Sequence, residues 1–218
     1  LQLYDEVIKI NQMRLKNNNK DNKKINFELM SSKLELKNVF FKYPNTSDYV
    51  LEDINLIISN GDFIGIKGES GSGKTTLIDL ILGIYIPTSG EIKVNGIDIH
   101  KSLIAWQSNI AYLPQETFLI DGSIIENIAL GIDRNSFSES EVVHSLKKAQ
   151  IFEHVEKLDE GLESQIGDAG LLLSGGQKQR LAIARAFFNK RNVFIFDEST
   201  SALDAASEEK ILNQIHQL

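Results

Sequence analysis

The sequence predicts an α/β fold: a mixed sheet with flanking helices, an antiparallel β part ahead of it and a helical insertion within it. Three observations point there. An apolar run, a glycine-rich turn and a helical stripe follow one another directly from Asp62 through Gly68 and Thr75 to Leu82. A second short apolar strand, Val193 to Phe196, ends in the acids Asp197 and Glu198. Between these two units the spacing of apolar residues turns helical, which reads as an insertion rather than as more sheet.

Length and composition narrow the classes. A chain of 218 residues makes one domain, or one domain with a lobe, and can bury a sizeable core. The net charge of −7 argues against a non-specific nucleic-acid binder. With no cysteine, disulfides, zinc–thiolate sites and thiol catalysis are excluded. No apolar run is long enough to span a bilayer; the longest, Leu77 to Ile86, is broken by Asp79 and Gly83. No signal-peptide pattern opens the chain, and a start at Leu1 without Met suggests a piece of something longer.

The elements follow in order. Leu3, Val7, Ile10 and Leu15 form a rough helical stripe, and the polar tract from Asn17 to Lys24 reads as a flexible linker, with a domain boundary near Lys33. Leu34, Leu36, Val39 and Phe40-Phe41 predict a strand ending at Tyr43-Pro44. Val50-Leu51, Ile54, Leu56 and Ile58 predict a second, closed by Asn60-Gly61. Asp62 to Lys67 reads as a buried strand, and Thr76 to Leu82 as a helix. Glu91 to Val94 is a strand ended by the hairpin signal Asn95-Gly96, and Ile110 to Leu113 a short strand running into Pro114-Gln115. Helices are predicted over Ser123–Leu130, over Ser138–Ala149 with a capping box of Ser138 and Glu141, and around Phe152–Leu158. A helix opened by Ser174-Gly175-Gly176 runs through Phe188, and Ala206 to Leu218 is amphipathic with Ile211, Leu212, Ile215 and Leu218 inward.

The chemistry sits in three strings. Gly68-Glu69-Ser70-Gly71-Ser72-Gly73-Lys74-Thr75 fills every fixed position of the phosphate-loop pattern, between a strand and a helix. Glycines let backbone N–H groups curl around phosphate oxygens, and the helix N-terminus adds partial positive charge. Lys74 can reach the β- and γ-phosphates, and the Thr75 hydroxyl can ligate Mg²⁺. The string predicts binding of a nucleoside triphosphate, with Gly68, Ser70, Gly71, Ser72, Gly73, Lys74, Thr75 and Thr76 as its contacts. Asp197, at a strand end, can hold Mg²⁺ directly or through water, while Glu198 can polarise a water for in-line attack on the γ-phosphate. Leu173-Ser174-Gly175-Gly176-Gln177 is a second helix N-terminus stripped of side chains, able to dock phosphate oxygens. One ATP does not need two such sites from one chain, so the second suits a neighbouring molecule's ATP.

These strings and their order resemble the nucleotide-binding domain of an ATP-binding-cassette (ABC) transporter, from about Leu34 to the C-terminus. The order is the phosphate loop, Gln115 in a Leu-Pro-Gln-Glu turn, Leu173 to Gln177, Asp197-Glu198, then Ser201-Ala202-Leu203-Asp204. The resemblance implies an ABC ATPase fold over 34–218, with a helical subdomain at about 116–175. Residues 1–33 would then be a linker from a preceding transmembrane domain. It also implies an ATP- and Mg²⁺-dependent hydrolase working as a head-to-tail dimer with a second nucleotide-binding domain. Each ATP would lie between one subunit's phosphate loop and the other's Ser174, Gly175, Gly176 and Gln177. Tyr43 stands where the family places an aromatic ring on adenine. Gln115 would join the Mg²⁺ and water network and sense the membrane domain, and Asp204 would signal across the dimer. Catalysis would rest on Glu198, Lys74 and Gln115, and the metal on Thr75, Gln115 and Asp197.

Two segments resemble the exporter branch: Gly122 to Gly131, and Ser164 to Gly170 with Asp168 where that pattern has Glu. The Gly167-Asp168 spelling is nearest to lipid-linked oligosaccharide flippases. The expected placement is the cytoplasmic face of a membrane, with no nucleic acid among the partners. The family's histidine after the next strand has no counterpart, since His216 comes too early, so weak or no hydrolysis by this piece alone is expected. His100, His144 and His154 receive no role. The rival readings are a separate importer subunit, a soluble cassette ATPase acting on ribosomes or DNA, and a degenerate cassette that binds ATP without turnover. The intact Lys74, Gln115, Glu198 and Ser174–Gln177 argue against the last.

Overall fold

The structure, a computed structural model, describes residues 33–197 and 205–216. The linker expected over 1–33 lies outside these residues except for Lys33, and so do Glu198, Ser201 to Asp204 and Leu218.

Four strands form an antiparallel sheet in the order β2-β1-β3-β4: β1 Lys33–Phe41, β2 Leu51–Ser59, β3 Ser89–Val94 and β4 Ile97–Asp98. Leu34 and Leu36 of β1 point to the core, then the parity switches and Val39 and Phe41 take over. A bulge makes that switch possible. Asn38 sits at φ 47°, its N–H donates to Asn55 Oδ1 at 2.9 Å and its amide to Asp53 Oδ1 at 2.8 Å. Across the ladder Gly90 is at φ 87°, where a Cβ would lie 2.2 Å from the Asn38 carbonyl oxygen, so only glycine fits. The turn predicted at Asn95-Gly96 is present, with both residues at positive φ, as a tight hairpin requires.

Helix α1, Lys74–Ile81, follows the glycine-rich turn and packs beneath this sheet through Ile78, Leu80 and Ile81. A short helix that periodicity did not reveal, α2 (Leu103–Gln107), closes the end of α1. Its Trp106 indole donates to the Ile81 carbonyl at 2.7 Å and its Gln107 amide to the Leu82 carbonyl at 2.9 Å, satisfying carbonyls that a helix end leaves open.

The predicted strands Ile110–Leu113 (β5) and Val193–Phe196 (β6) form a parallel pair in register Ile110↔Val193 through Leu113↔Phe196. Successive residues of this pair serve different cores. Ile110, Val193 and Ile195 pack with the antiparallel sheet and α1, whereas Ala111, Leu113, Phe194 and Phe196 pack with the helices. That second core joins α3 (Ile124–Ile128), α4 (Glu139–Lys148), α5 (Phe152–Val155), α6 (Gly175–Phe188) and α7 (Ala205–His216). The Ser138–Glu141 capping box is formed, and a second one, Ser123–Glu126, starts α3. Ile211 of α7 is buried as expected, with Leu212 and Ile215 half-buried beside it.

One expected element is corrected. Asp62 to Lys67 forms no strand and is not buried: Phe63 is 51% exposed, and Ile64 and Ile66 are 43% exposed. An apolar run favours burial, but a strand also needs a ladder partner, and among the described residues none pairs with this segment. Its Phe63 ring stacks instead on the His216 imidazole, centroids 3.9 Å apart.

Candidate nucleotide site

Gly73, at φ 88° and ψ 11°, turns the chain into α1 and places no side-chain cap on it. The first-turn N–H groups of α1 therefore face outward at the positive end of the helix, where an anion would complete them. Lys74 crosses the mouth of the loop. Its ammonium donates to the Gly68 carbonyl at 2.9 Å and the Glu69 carbonyl at 2.7 Å, and Ser72 N–H closes back on the Glu69 carbonyl at 3.2 Å. Thr75 is exposed, whereas Thr76 is buried and shares a 2.9 Å hydrogen bond between its hydroxyl and that of Tyr43. The Tyr43 ring stands edge-on to Phe41 and Tyr85, with centroids 5.1 and 5.6 Å away. It is half-buried, with its hydroxyl anchored on α1 through Thr76.

Because β5 and β6 are parallel, their C-terminal ends emerge at one edge of the pair, and Gln115 and Asp197 leave from that edge. Asp197 N–H extends the ladder by donating to the Leu113 carbonyl at 3.0 Å. Tyr112 Oη donates to Asp197 Oδ2 at 3.1 Å. Burial, then the Asp197 charge and this hydrogen bond, push the Tyr112 phenol up to about 12. Asp79 of α1 feels the same neighbourhood: burial first, then the Asp197 charge, raise its carboxyl above the ordinary range. Asp79 of the phosphate-loop helix thus feels the charge at the end of β6. Gln115 is exposed. Thr75, Gln115 and Asp197 offer oxygen donors, the kind a hard divalent cation takes. Among the described residues no cluster of His, Cys, Asp or Glu makes a metal site unaided, so phosphate oxygens would have to complete the shell.

The sequence reading did not single out Tyr112 or Asp79 as part of this site. The signal for Asp79 was an acid inside an otherwise apolar helical stripe. For Tyr112 it was parity: it lies two residues from Ile110, on the face that Asp197 shares with Ile195.

The Ser174–Gln177 string starts α6, but it is not stripped of side chains. Ser174 N–H donates to Gln177 Oε1 at 2.7 Å, Gln177 N–H returns to Ser174 Oγ at 3.4 Å, and Gln177 Nε2 meets His154 Nδ1 at 3.2 Å. Ser174 and Gly175 remain exposed. Among the described residues no hydrogen bond joins this string to the phosphate loop, which belongs with the other core. A cavity of about 290 Å³ lined by Ile120, Asp121, Ile125, Glu126, Arg134 and Phe137 lies on the helical side and includes no phosphate-loop residue.

Two segments that the sequence set apart meet in space. Ile124 N–H donates to the Ser164 carbonyl and Ile166 N–H to the Gly122 carbonyl, both at 3.1 Å, with a bridge between Ser123 and Gln165. Beside them Phe118, Leu171 and Leu172 are 65%, 75% and 74% exposed. No helix among the described residues is long and apolar enough to cross a membrane.

Comparison with known proteins bears on this arrangement. Residues 51–201 match the sequence family described as ABC transporter. The chain is 39% identical over 186 residues to an ATP-dependent lipid A-core flippase of Alkalilimnicola ehrlichii, covering 85% of this chain and 31% of that protein. It is 40% identical over 186 residues to the alpha-hemolysin translocation ATP-binding protein HlyB of Escherichia coli O157:H7, covering 85% and 26%. The fold is similar to that of a bacterial Atm1-family ABC exporter solved with ATP bound, with a TM-score of 0.77 at 33% identity over 86% of this chain and 33% of the other. The chain thus spans about a third or less of these relatives' length.

Proposed function

The chain belongs to the ABC transporter family, and from that premise we propose that it is the ATP-binding and ATP-hydrolysing motor domain of an exporter. One observation carries the reading: the start of α1 has no side-chain cap and Lys74 is drawn across the glycine-rich turn that precedes it, a setting that an anion would complete. Phosphate oxygens would take over the N–H groups of Gly71 to Thr76, and the Lys74 ammonium would exchange the Gly68 and Glu69 carbonyls for the β- and γ-phosphates. Thr75, Asp197 and Gln115 would hold Mg²⁺, which supplies neutralising charge for the leaving diphosphate. Glu198 would polarise the attacking water. Tyr43 would swing its ring to adenine, giving up its bond to Thr76, whose hydroxyl is then free for phosphate.

The exposed Ser174–Gly175 helix start supports a dimer in which it docks on a second domain's ATP, with Asp204 signalling across the interface. Phe118, Leu171 and Leu172, beside the paired segments at 122 and 166, support contact with a transmembrane domain on the same polypeptide at the cytoplasmic membrane face. Residues 1–33 would lead to that domain. The relatives named as a flippase and a toxin translocator favour export over import.

The test compares ATP binding and turnover in the intact protein with Lys74→Ala and Glu198→Gln. Lys74→Ala is expected to abolish ATP binding. Glu198→Gln is expected to keep binding, stop turnover and trap an ATP-bound dimer visible by size-exclusion chromatography. Unchanged affinity in the first, or rapid turnover in the second, would remove that residue's role.

A further inference from the structure

We propose that Tyr112 is a positioning residue for the Asp197 carboxylate, fixing it for the divalent cation that accompanies the bound triphosphate. The inference rests on the nucleotide-site reading above. Register alone brings the two side chains together. Tyr112 pairs with Ile195 across a parallel ladder, and Asp197 lies two residues beyond Ile195. Asp197 N–H still donates to the Leu113 carbonyl, so the two-residue alternation holds up to Asp197, and both side chains leave the same face diagonally.

The contact is a single defined hydrogen bond, Oη to Oδ2 at 3.1 Å. A neutral phenol can only donate to a carboxylate, so it occupies one Asp197 oxygen and leaves the other for a cation. The setting makes that donor matter. Asp79 is an acidic neighbour, and the Asp197 charge disfavours its ionised form. Without the phenol, the carboxylate would face a like charge and could rotate about its broad terminal torsion. Metal-ligating carboxylates are themselves commonly held by outer hydrogen bonds, and loss of such a partner weakens metal binding more than it disturbs the fold.

The test is Tyr112→Phe in the intact protein, which keeps the ring and removes only the hydroxyl. Binding of a fluorescent ATP analogue is measured first in EDTA and then as Mg²⁺ is titrated in. Affinity in EDTA is expected to stay at the wild-type value, while the Mg²⁺ concentration at half-effect rises roughly ten-fold. In an Asp197→Asn background the same change is expected to have no further effect on the Mg²⁺ midpoint, because Tyr112 acts only through that carboxylate. An unchanged Mg²⁺ midpoint in Tyr112→Phe, or an equal shift in the Asp197→Asn background, overturns the inference while leaving the nucleotide site standing. Failure of the wild-type protein to bind the analogue in either condition overturns the underlying site reading, and the inference with it.

Discussion

Asp79 sits in α1 among apolar residues, partly buried and within reach of the Asp197 charge, and both effects favour its protonated form. Its carboxyl is therefore raised above the unfolded value of 3.8, and folding takes up a proton there. For an acid shifted this way, stability is highest at low pH. It falls as pH climbs from the unfolded value through the folded one, and the penalty is complete above the folded one. Asp79→Asn removes the charge, so the variant is expected to melt higher than wild type at pH 7. The difference should shrink to nothing as the pH drops below about 4. Thermal melts followed by circular dichroism across that range check the sign. A variant that melts lower at pH 7 would mean that Asp79 holds a favourable partner after all.

Elements meet through a buried polar network as well as through apolar packing. Asn127 of α3 has no exposed surface. Its Oδ1 accepts from Ile120 N–H at 2.9 Å and its Nδ2 donates to the Ile120 and Ser123 carbonyls. Arg185 of α6 donates to the Asn127 carbonyl at 2.7 Å and to the Phe118 carbonyl at 3.1 Å, with its guanidinium disfavoured by burial. These bonds tie the loop after Gln115 to the helix that begins at Ser174. Asn127→Ala leaves several buried groups without partners and is expected to cost roughly 3 kcal/mol in urea unfolding. A loss under about 0.5 kcal/mol would mean that water replaces the amide.

At this scale much was legible in the sequence. The β5 and β6 spans and the start of α4 follow from apolar runs and a capping box that act locally, whereas the start of α6 was legible in Ser174-Gly175-Gly176 without the Gln177 that completes its cap. What was not legible depends on distant partners. The run Asp62 to Lys67 looks like a strand, but its text does not say what would pair with it. Helix α2 is too short for its period to speak, and it is fixed by Trp106 and Gln107 finding the open carbonyls at the end of α1. Tyr112 read as one more apolar strand residue, because its role comes from a neighbour 85 positions away.

Among the described residues two cores lie on either side of the β5–β6 pair, with the helix that follows the phosphate loop packed in one and Leu173, beside the Ser174–Gln177 string, in the other. Damage on the helical side should therefore spare nucleotide contacts. Leu146 of α4 is fully buried in that side, and Leu146→Ala is expected to cost about 2–5 kcal/mol. ATP affinity at low temperature, measured by calorimetry, should stay unchanged while the fold persists. A large loss of affinity alongside modest destabilisation would mean that the two cores unfold as one unit.

The alternation along β5 and β6 also sorts inherited variation. At Ile110, Val193 and Ile195 a change is felt in the core of the antiparallel sheet and α1, on the face that Tyr112 and Asp197 share; at Ala111, Leu113, Phe194 and Phe196 it is felt in the helical core. Alternate positions within each strand can thus vary separately, and the core that a change reaches follows from its place in the strand.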